Sequence, residues 1–342
     1  MSLGEPRKLP TIYDVARLAG VSAATVSRVL NSSSTVDVAL VEKVNAATKQ
    51  LGYRRNAVAR NLRRSRTNTI GVIIPDISNP FYTRLVHAVQ DVAWREGYAV
   101  VLCNTDEELE KEKQYITNAI SDHMAGVIVA RSRESMEPLE PIVAAGIPLV
   151  LVDRVWENAP VDSVVVANED GARLGVAHLI EMGYRDIACI AGQADALTSG
   201  ERVAGYRQAL EDAGRPVRPD RIRLTNFKQD GGHQAMLDFL DAPEPPDAVF
   251  VVNNLLMVGA LEAIAERSIR MPEQLGLVGF DSLPWAKMIR PTLSVVQQPV
   301  DELGMRAGEL LLARVRQPDR EKVRVVLPAT LSVGESSSVR AI

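Results

Sequence analysis

The side chains of this chain that could do chemistry stand where short apolar runs end. Asp281 follows Gly279-Phe280, Asn253 follows Phe250-Val251-Val252, Asp153 follows the run 148–152, and Asn79-Pro80-Phe81-Tyr82 follows the run 70–75. Phe227 closes the run around Leu224, and Arg202 opens the stretch Arg202-Val203-Ala204-Gly205-Tyr206. An arginine and a carboxylate can grip adjacent hydroxyls from two sides, while an aromatic face covers the apolar side of a ring. Other roles stay open: Asp153 and Arg154 could pair with each other, and Phe81, Tyr82, Phe227 and Trp285 could be core aromatics. This is chemistry of binding rather than of bond-making. His87, His123, His178 and His233 lack metal-ligand spacing, and neither G-x-S-x-G nor H-E-x-x-H occurs. The phosphate-cradling patterns G-x-G-x-x-G and G-x-x-x-x-G-K-[ST] are missing too. Cys103 and Cys189 lie inside apolar runs and read as small core residues in a reducing compartment. No enzyme, metal or cofactor is expected.

A second kind of chemistry is electrostatic. The 342 residues carry a net charge of −4, but residues 1–66 hold 12 Lys and Arg against four acids, which leaves the remaining 276 residues at −12. A basic head on an acidic body points to a polyanionic partner for the head alone. The spacing predicts three helices in that head. Thr11-Ile12-Tyr13-Asp14 fits a capping box, with Ile12, Val15, Ala16 and Leu18 on one face. Gly20 stops this helix, Ser22 caps the next, and a third runs from Val38 to Leu51 before Gly52. Two short helices around a glycine turn make a helix-turn-helix, whose second member enters the major groove.

The run Thr11-Ile12-Tyr13-Asp14-Val15-Ala16-Arg17-Leu18-Ala19-Gly20-Val21-Ser22, followed by Thr25-Val26-Ser27-Arg28-Val29-Leu30-Asn31, resembles the LacI/GalR (lac-repressor) family of bacterial transcription regulators. The likeness continues through Leu51-Gly52-Tyr53 and Asn56-Ala57-Val58-Ala59-Arg60-Asn61-Leu62 and on through most of the chain. It implies a DNA contact set of Thr11, Tyr13, Ser22, Ala23, Ala24, Thr25, Ser27, Arg28, Asn31, Asn56, Arg60 and Leu62. On physical grounds Ala23, Ala24, Ser27 and Arg28 should face outward, because Val26, Val29 and Leu30 are needed for the core. Ser22, Thr25 and Asn31 suit phosphate oxygens. Arg28 is the side chain able to take a guanine edge with two hydrogen bonds. The family implies that a short hinge helix after Asn56 orders on operator DNA and inserts Leu62 between base pairs, a minor-groove wedge.

Beyond Thr69, β-branched runs alternate with helical patterns, which means parallel sheets with right-handed crossovers. One set has strands over 70–75, 99–103, 126–130 and 148–152, with helices over 81–97 and 107–122. A second set has strands near 163–167, 186–192, 221–227, 248–252 and 275–280, with helices near 171–182, 199–213, 231–240 and 255–266. Late strands near 293–296 and 323–331 should cross between the two. The expected fold is an all-α helix-turn-helix head on an α/β body of two doubly wound parallel-sheet lobes, like periplasmic binding proteins. The expected domains are 1–55, a hinge and linker over 56–68, and an effector-binding and dimerisation body over 69–342. Ligands of such sheets bind beyond the carboxyl ends of the strands, here between the lobes. The resemblance assigns Phe81, Tyr82, Asp153, Thr198, Arg202, Phe227, Asn253, Asp281 and Trp285 to that effector cleft.

Some residues depart from the family. Asn253-Asn254 stands where Asn-Asp is usual, and Ala196 and Gly200 replace larger polar contacts of some members. These departures leave the effector class open; because an Asp/Arg pair fits polyols, a neutral sugar or sugar acid is expected first, with a purine or a protein co-regulator as other candidates. The expected protein is a cytoplasmic homodimeric regulator, most simply a repressor, with operator DNA and a small molecule as partners and no membrane. The rival reading is a sugar-binding transport-type protein. It would need a signal peptide and no basic head, whereas Met-Ser-Leu-Gly-Glu-Pro-Arg-Lys has no apolar core.

Overall fold

A computed structural model describes residues 10–30, 37–53, 67–131, 136–193 and 196–338. It divides into two compact units, 1–66 and 67–342. In the first, helix α1 (Ile12–Ala19) starts at a closed capping box: Asp14 N–H donates to Thr11 Oγ1 while Thr11 N–H donates to Asp14 Oδ2. Gly20 ends it at φ 66°, the left-handed region. Ser22 receives the Thr25 N–H at 3.1 Å and so starts α2 (Ala23–Leu30). Asp37 does the same for α3 (Val38–Leu51) through Ala39 N–H. Val15, Ala16, Val26, Val29, Val44 and Ala47 form the shared core.

The second unit is built on two six-stranded sheets. The first holds β1 (Thr69–Ile74), β2 (Ala99–Asn104), β3 (Gly126–Ala130), β4 (Leu149–Val152), β5 (Asp162–Val166) and β11 (Arg324–Leu327), in the order β11-β5-β4-β3-β1-β2. The second holds β6 (Ile187–Ala191), β7 (Ile222–Leu224), β8 (Ala248–Val251), β9 (Gly276–Phe280), β10 (Ser294–Gln297) and β12 (Thr330–Ser332), in the order β12-β10-β9-β8-β6-β7. Neighbours are parallel except β10 and β12. Each sheet reverses its order next to its first strand, the switch point at which a crevice opens beyond the carboxyl ends.

Three details correct the sequence expectations. The strand at Asp162–Val166 belongs to the first sheet, pairing with β4 through Val150↔Asp162, and does not open the second. A connection without a crossover helix joins β4 to β5, so the alternating pattern suggested a new set. The run 323–331 is two strands, one in each sheet, divided at Pro328-Ala329. The helix Val300–Arg316 has no counterpart in the sequence reading, although Val300, Leu303, Ala307 and Leu311 bury its inner face in the first lobe. Gly304 lets it approach the helix Pro80–Arg95, since a Cβ there would lie 2.4 Å from Leu85 O. The chain therefore crosses between lobes after β5, after β10 and between β11 and β12. Three strand-like crossings leave the lobes joined by a narrow waist.

Candidate functional site

The carboxyl ends of both sheets meet at that waist. Asn79 caps the helix Pro80–Arg95 by accepting the Phe81 N–H at 2.9 Å, and Pro80 at the first turn sets its direction. Phe81 and Tyr82 are thereby turned inward, with Phe81 6% and Tyr82 3% exposed. Asp153 follows β4, Phe227 follows β7, and Asp281 follows β9. All three adopt left-handed backbone, at φ 66°, 55° and 73°. Such conformations cost free energy in non-glycine residues and gather at ligand sites. Asn253 caps the helix Asn254–Glu266, accepting Leu256 N–H at 2.8 Å.

These residues line one small cavity, nearly filled by its own side chains, at whose walls stand Phe81, Tyr82, Asp153, Thr198, Arg202, Phe227, Asn253 and Asp281. Trp285 is the effector candidate that the structure does not bring there. It lies on the loop after β9 with 38% of its surface exposed and is not among the residues that line the cavity. Asn79, Arg154 and Gln298 line the cavity as well. Asn79 belongs to the strand-end group already named; sequence reasoning did not place Arg154 and Gln298 there, although Gln298 directly follows β10 and obeys the same strand-end rule.

The polar groups hold one another rigidly. Arg202 donates from Nε to Asn168 Oδ1 (2.9 Å) and from Nη1 to Val252 O (2.6 Å), and its guanidinium stacks 3.8 Å from the Phe280 ring centroid. Its Nη1 stands 3.8 Å from Asp281. Gln298 Nε2 donates to Asp281 Oδ1 at 2.6 Å. Burial raises the Asp281 carboxyl above its ordinary range, against the pull of Arg202 and the Gln298 hydrogen bond. On the opposite wall Tyr82 Oη donates to Asp153 Oδ2 at 2.9 Å, and Arg154 Nη1 donates to Glu107 Oε2 at 2.9 Å. Arg154 also reaches across the cleft to lie 5.4 Å over the Phe227 ring. That ring packs onto Gly192, where a Cβ would meet it at 2.2 Å. Two buried polar atoms of the cavity walls have no hydrogen-bond partner among the described residues: the donor Arg154 Nε and the acceptor Gln298 Oε1.

In the first unit, α2 turns Ala24 and Arg28 to solvent beside exposed Ser22, and Tyr13 on α1 is 69% exposed. Ala23, Thr25 and Ser27 are half-buried. This corrects the outward reading of Ala23, which packs against the core that holds Val26 and Val29. The Ser22 and Thr25 hydroxyls lie 2.9 Å apart, and the Thr11 hydroxyl donates to Asp14. Asn31, Asn56, Arg60 and Leu62 lie outside the described residues, as does the expected hinge helix.

Residues 11–56 match the model of bacterial regulatory proteins of the lacI family. Residues 67–332 match that of periplasmic binding proteins and the sugar-binding domain of the LacI family. The chain belongs to the LacI family. It is 36% identical to the HTH-type transcriptional repressor PurR of Vibrio atlanticus, over 92% of this chain and 94% of that one. It is 37% identical to the ribose operon repressor of Halalkalibacterium halodurans, over 96% and 97%. Among solved structures, the lac repressor dimer bound to operator and the anti-inducer ONPF superposes with a TM-score of 0.87 at 29% identity, covering 97% of this chain and all of that one. This LacI-family member is a helix-turn-helix transcription regulator with a two-lobed body. No helix among its described residues is long and apolar enough to cross a membrane.

Proposed function

We propose that this regulator binds a compact, neutral sugar of about five carbons in the interlobe cavity, and that occupancy sets its grip on operator DNA. The observation that carries this reading is the balance of the cavity. Arg154 and Arg202 face Asp153 and Asp281, so the walls carry no surplus charge to hold a sugar acid or a phosphate. Gln298 Oε1 is a buried acceptor without a hydrogen-bond partner among the described residues, and Arg154 Nε has no hydrogen bond and lies 3.9 Å from Asp153 Oδ2; hydroxyls, which both donate and accept, suit such walls. Phe81 and Phe227 supply apolar faces for a ring's C–H side. Similarity to a ribose operon repressor supports the same class.

The protein acts as a regulator and not as an enzyme, in the cytoplasm and as a homodimer. In support of the dimer, the edge strands β2 and β7 leave Val101, Leu102 and Leu224 exposed, and Trp285 and Met288 add apolar surface on the second lobe. Two heads then read a pseudo-palindromic operator. Ser22, Thr25 and Asn31 serve phosphates, Ala24 and Arg28 serve base edges, and Thr11, Tyr13, Ala23 and Ser27 line the approach. Asn56, Arg60 and Leu62 in the minor groove carry the signal. A sugar that prefers one lobe arrangement changes operator affinity by its difference in affinity for the two arrangements. Calorimetric titration of the full chain with D-ribose, D-ribonate and adenine tests the ligand class. Saturable binding of D-ribose with neither of the others is expected; binding of adenine or D-ribonate in its place would overturn the reading.

A further inference from the structure

The geometry points to Tyr82 as the residue that limits ligand length: its phenol takes, on one oxygen of Asp153, the position that an additional ligand hydroxyl would otherwise occupy. This rests on the reading that a sugar fills the cleft. Both partners are fixed. Tyr82 belongs to the first turn of the helix Pro80–Arg95, directly after the Asn79 cap, and is 3% exposed. The Phe81 ring meets its ring edge-on, at 5.0 Å between centroids and 81° between planes, so the phenol cannot swing aside freely. Asp153 is held by its left-handed backbone and by its N–H donating to Val164 O at 3.1 Å.

The two carboxylates of the cavity differ in what satisfies them. Asp281 receives the amide of Gln298, whose far end, Oε1, still offers an acceptor. Asp153 receives the hydroxyl of Tyr82 at 2.9 Å on Oδ2, the same oxygen that lies 3.9 Å from Arg154 Nε. The Asp281 end can therefore take on ligand groups through Gln298, whereas at the Asp153 end Oδ2 is already taken by the phenol and Arg154. A ligand with one more hydroxymethyl group must displace a phenol bonded to a charged acceptor, a strong hydrogen bond. A five-carbon sugar meets no such demand. Tyr82 is thus a specificity-determining residue that excludes the six-carbon homologue.

The test is calorimetry on the full-length protein and on Tyr82→Phe, with D-ribose and with D-allose, the six-carbon aldose that keeps the same hydroxyl configuration at C2–C4. The intact protein is expected to prefer ribose by about a hundredfold, the order of discrimination a shaped pocket achieves. Tyr82→Phe should narrow that preference by about tenfold or more, through a gain in allose affinity. An unchanged ratio, or an equal loss for both sugars, overturns the proposal and leaves the sugar reading standing. If the intact protein binds neither sugar, the sugar reading falls and this proposal falls with it.

Discussion

Asn254 Nδ2 donates to Asn79 Oδ1 at 2.9 Å, a hydrogen bond between the first turns of two helices that belong to different lobes. Asn79 Oδ1 already accepts Phe81 N–H, so the oxygen serves at once as a helix cap and as a catch for the opposite lobe. Asn254 is 1% exposed. Only a donor at 254 can make this contact, and the family's usual aspartate would set a carboxylate against an acceptor. Asn254→Asp should therefore favour lobe opening and weaken sugar binding by about 5- to 150-fold, the effect of roughly 1–3 kcal/mol for a spoiled buried hydrogen bond. Calorimetric comparison with the parent protein reads this directly, and equal affinities would show that the catch contributes nothing.

The reading head predicts a different kind of loss. Arg28 is the one charged side chain on α2 and is exposed. Arg28→Ala should flatten discrimination at one base pair of each half-site by about 1–3 kcal/mol and leave the other positions nearly unchanged. Binding measured across a set of singly substituted operators would reveal it. A uniform weakening at all positions would mean that Arg28 holds phosphate instead.

Acidification should release the sugar. Asp281 accepts from ligand hydroxyls as the carboxylate, and its burial raises its pKa despite Arg202 and Gln298. As pH falls, Asp281 gains its proton before an ordinary aspartate near 3.9 does, and sugar affinity falls with it. The decline should thus begin above the usual aspartate range. In Asp281→Asn, affinity is lower at neutral pH and this leg of the pH profile is gone. A profile that is identical in the two proteins would remove Asp281 from the binding set.

Phe227 offers a test through its neighbour. The Gly192 position leaves no room for a methyl group beneath the Phe227 ring, so Gly192→Ala must push the ring into the cavity or out of it. Overpacking of this sort costs about 1–3 kcal/mol, and the expected result is a weaker sugar complex with operator binding in the absence of sugar unchanged. Retention of full sugar affinity would show that the Phe227 ring does not cover the ligand.

What could be read in the chain depended on how local the cause was. Thr11, Asp14, Gly20, Ser22 and Gly52 act within one helical turn, and the head follows from them. The strand-end rule found Asp153, Asn253 and Asp281 because a strand's end shows as an apolar run giving way to a polar residue. The same rule overlooked Gln298, hidden by the short polar passage Gln297-Gln298-Pro299 before the Val300–Arg316 helix. It misdirected Trp285, which follows a strand but is not among the residues that line the cavity. Sheet membership of Asp162–Val166 was not legible, since only pairing with β4 decides it. Nor was the half-burial of Ala23, which depends on how α2 lies against α1 and α3.

The central claim is that occupancy of the interlobe cavity changes the grip on DNA. The most direct measurement is the fluorescence anisotropy of a labelled operator, selected from random sequence, titrated with the full-length protein with and without saturating D-ribose, for the parent and for Asp281→Ala. The account predicts that ribose shifts the operator affinity of the parent by about fivefold or more, within the usual range of allosteric coupling. Asp281→Ala should bind the operator equally well without sugar and show no shift. A parent protein saturated with ribose that holds its operator with unaltered affinity would contradict it.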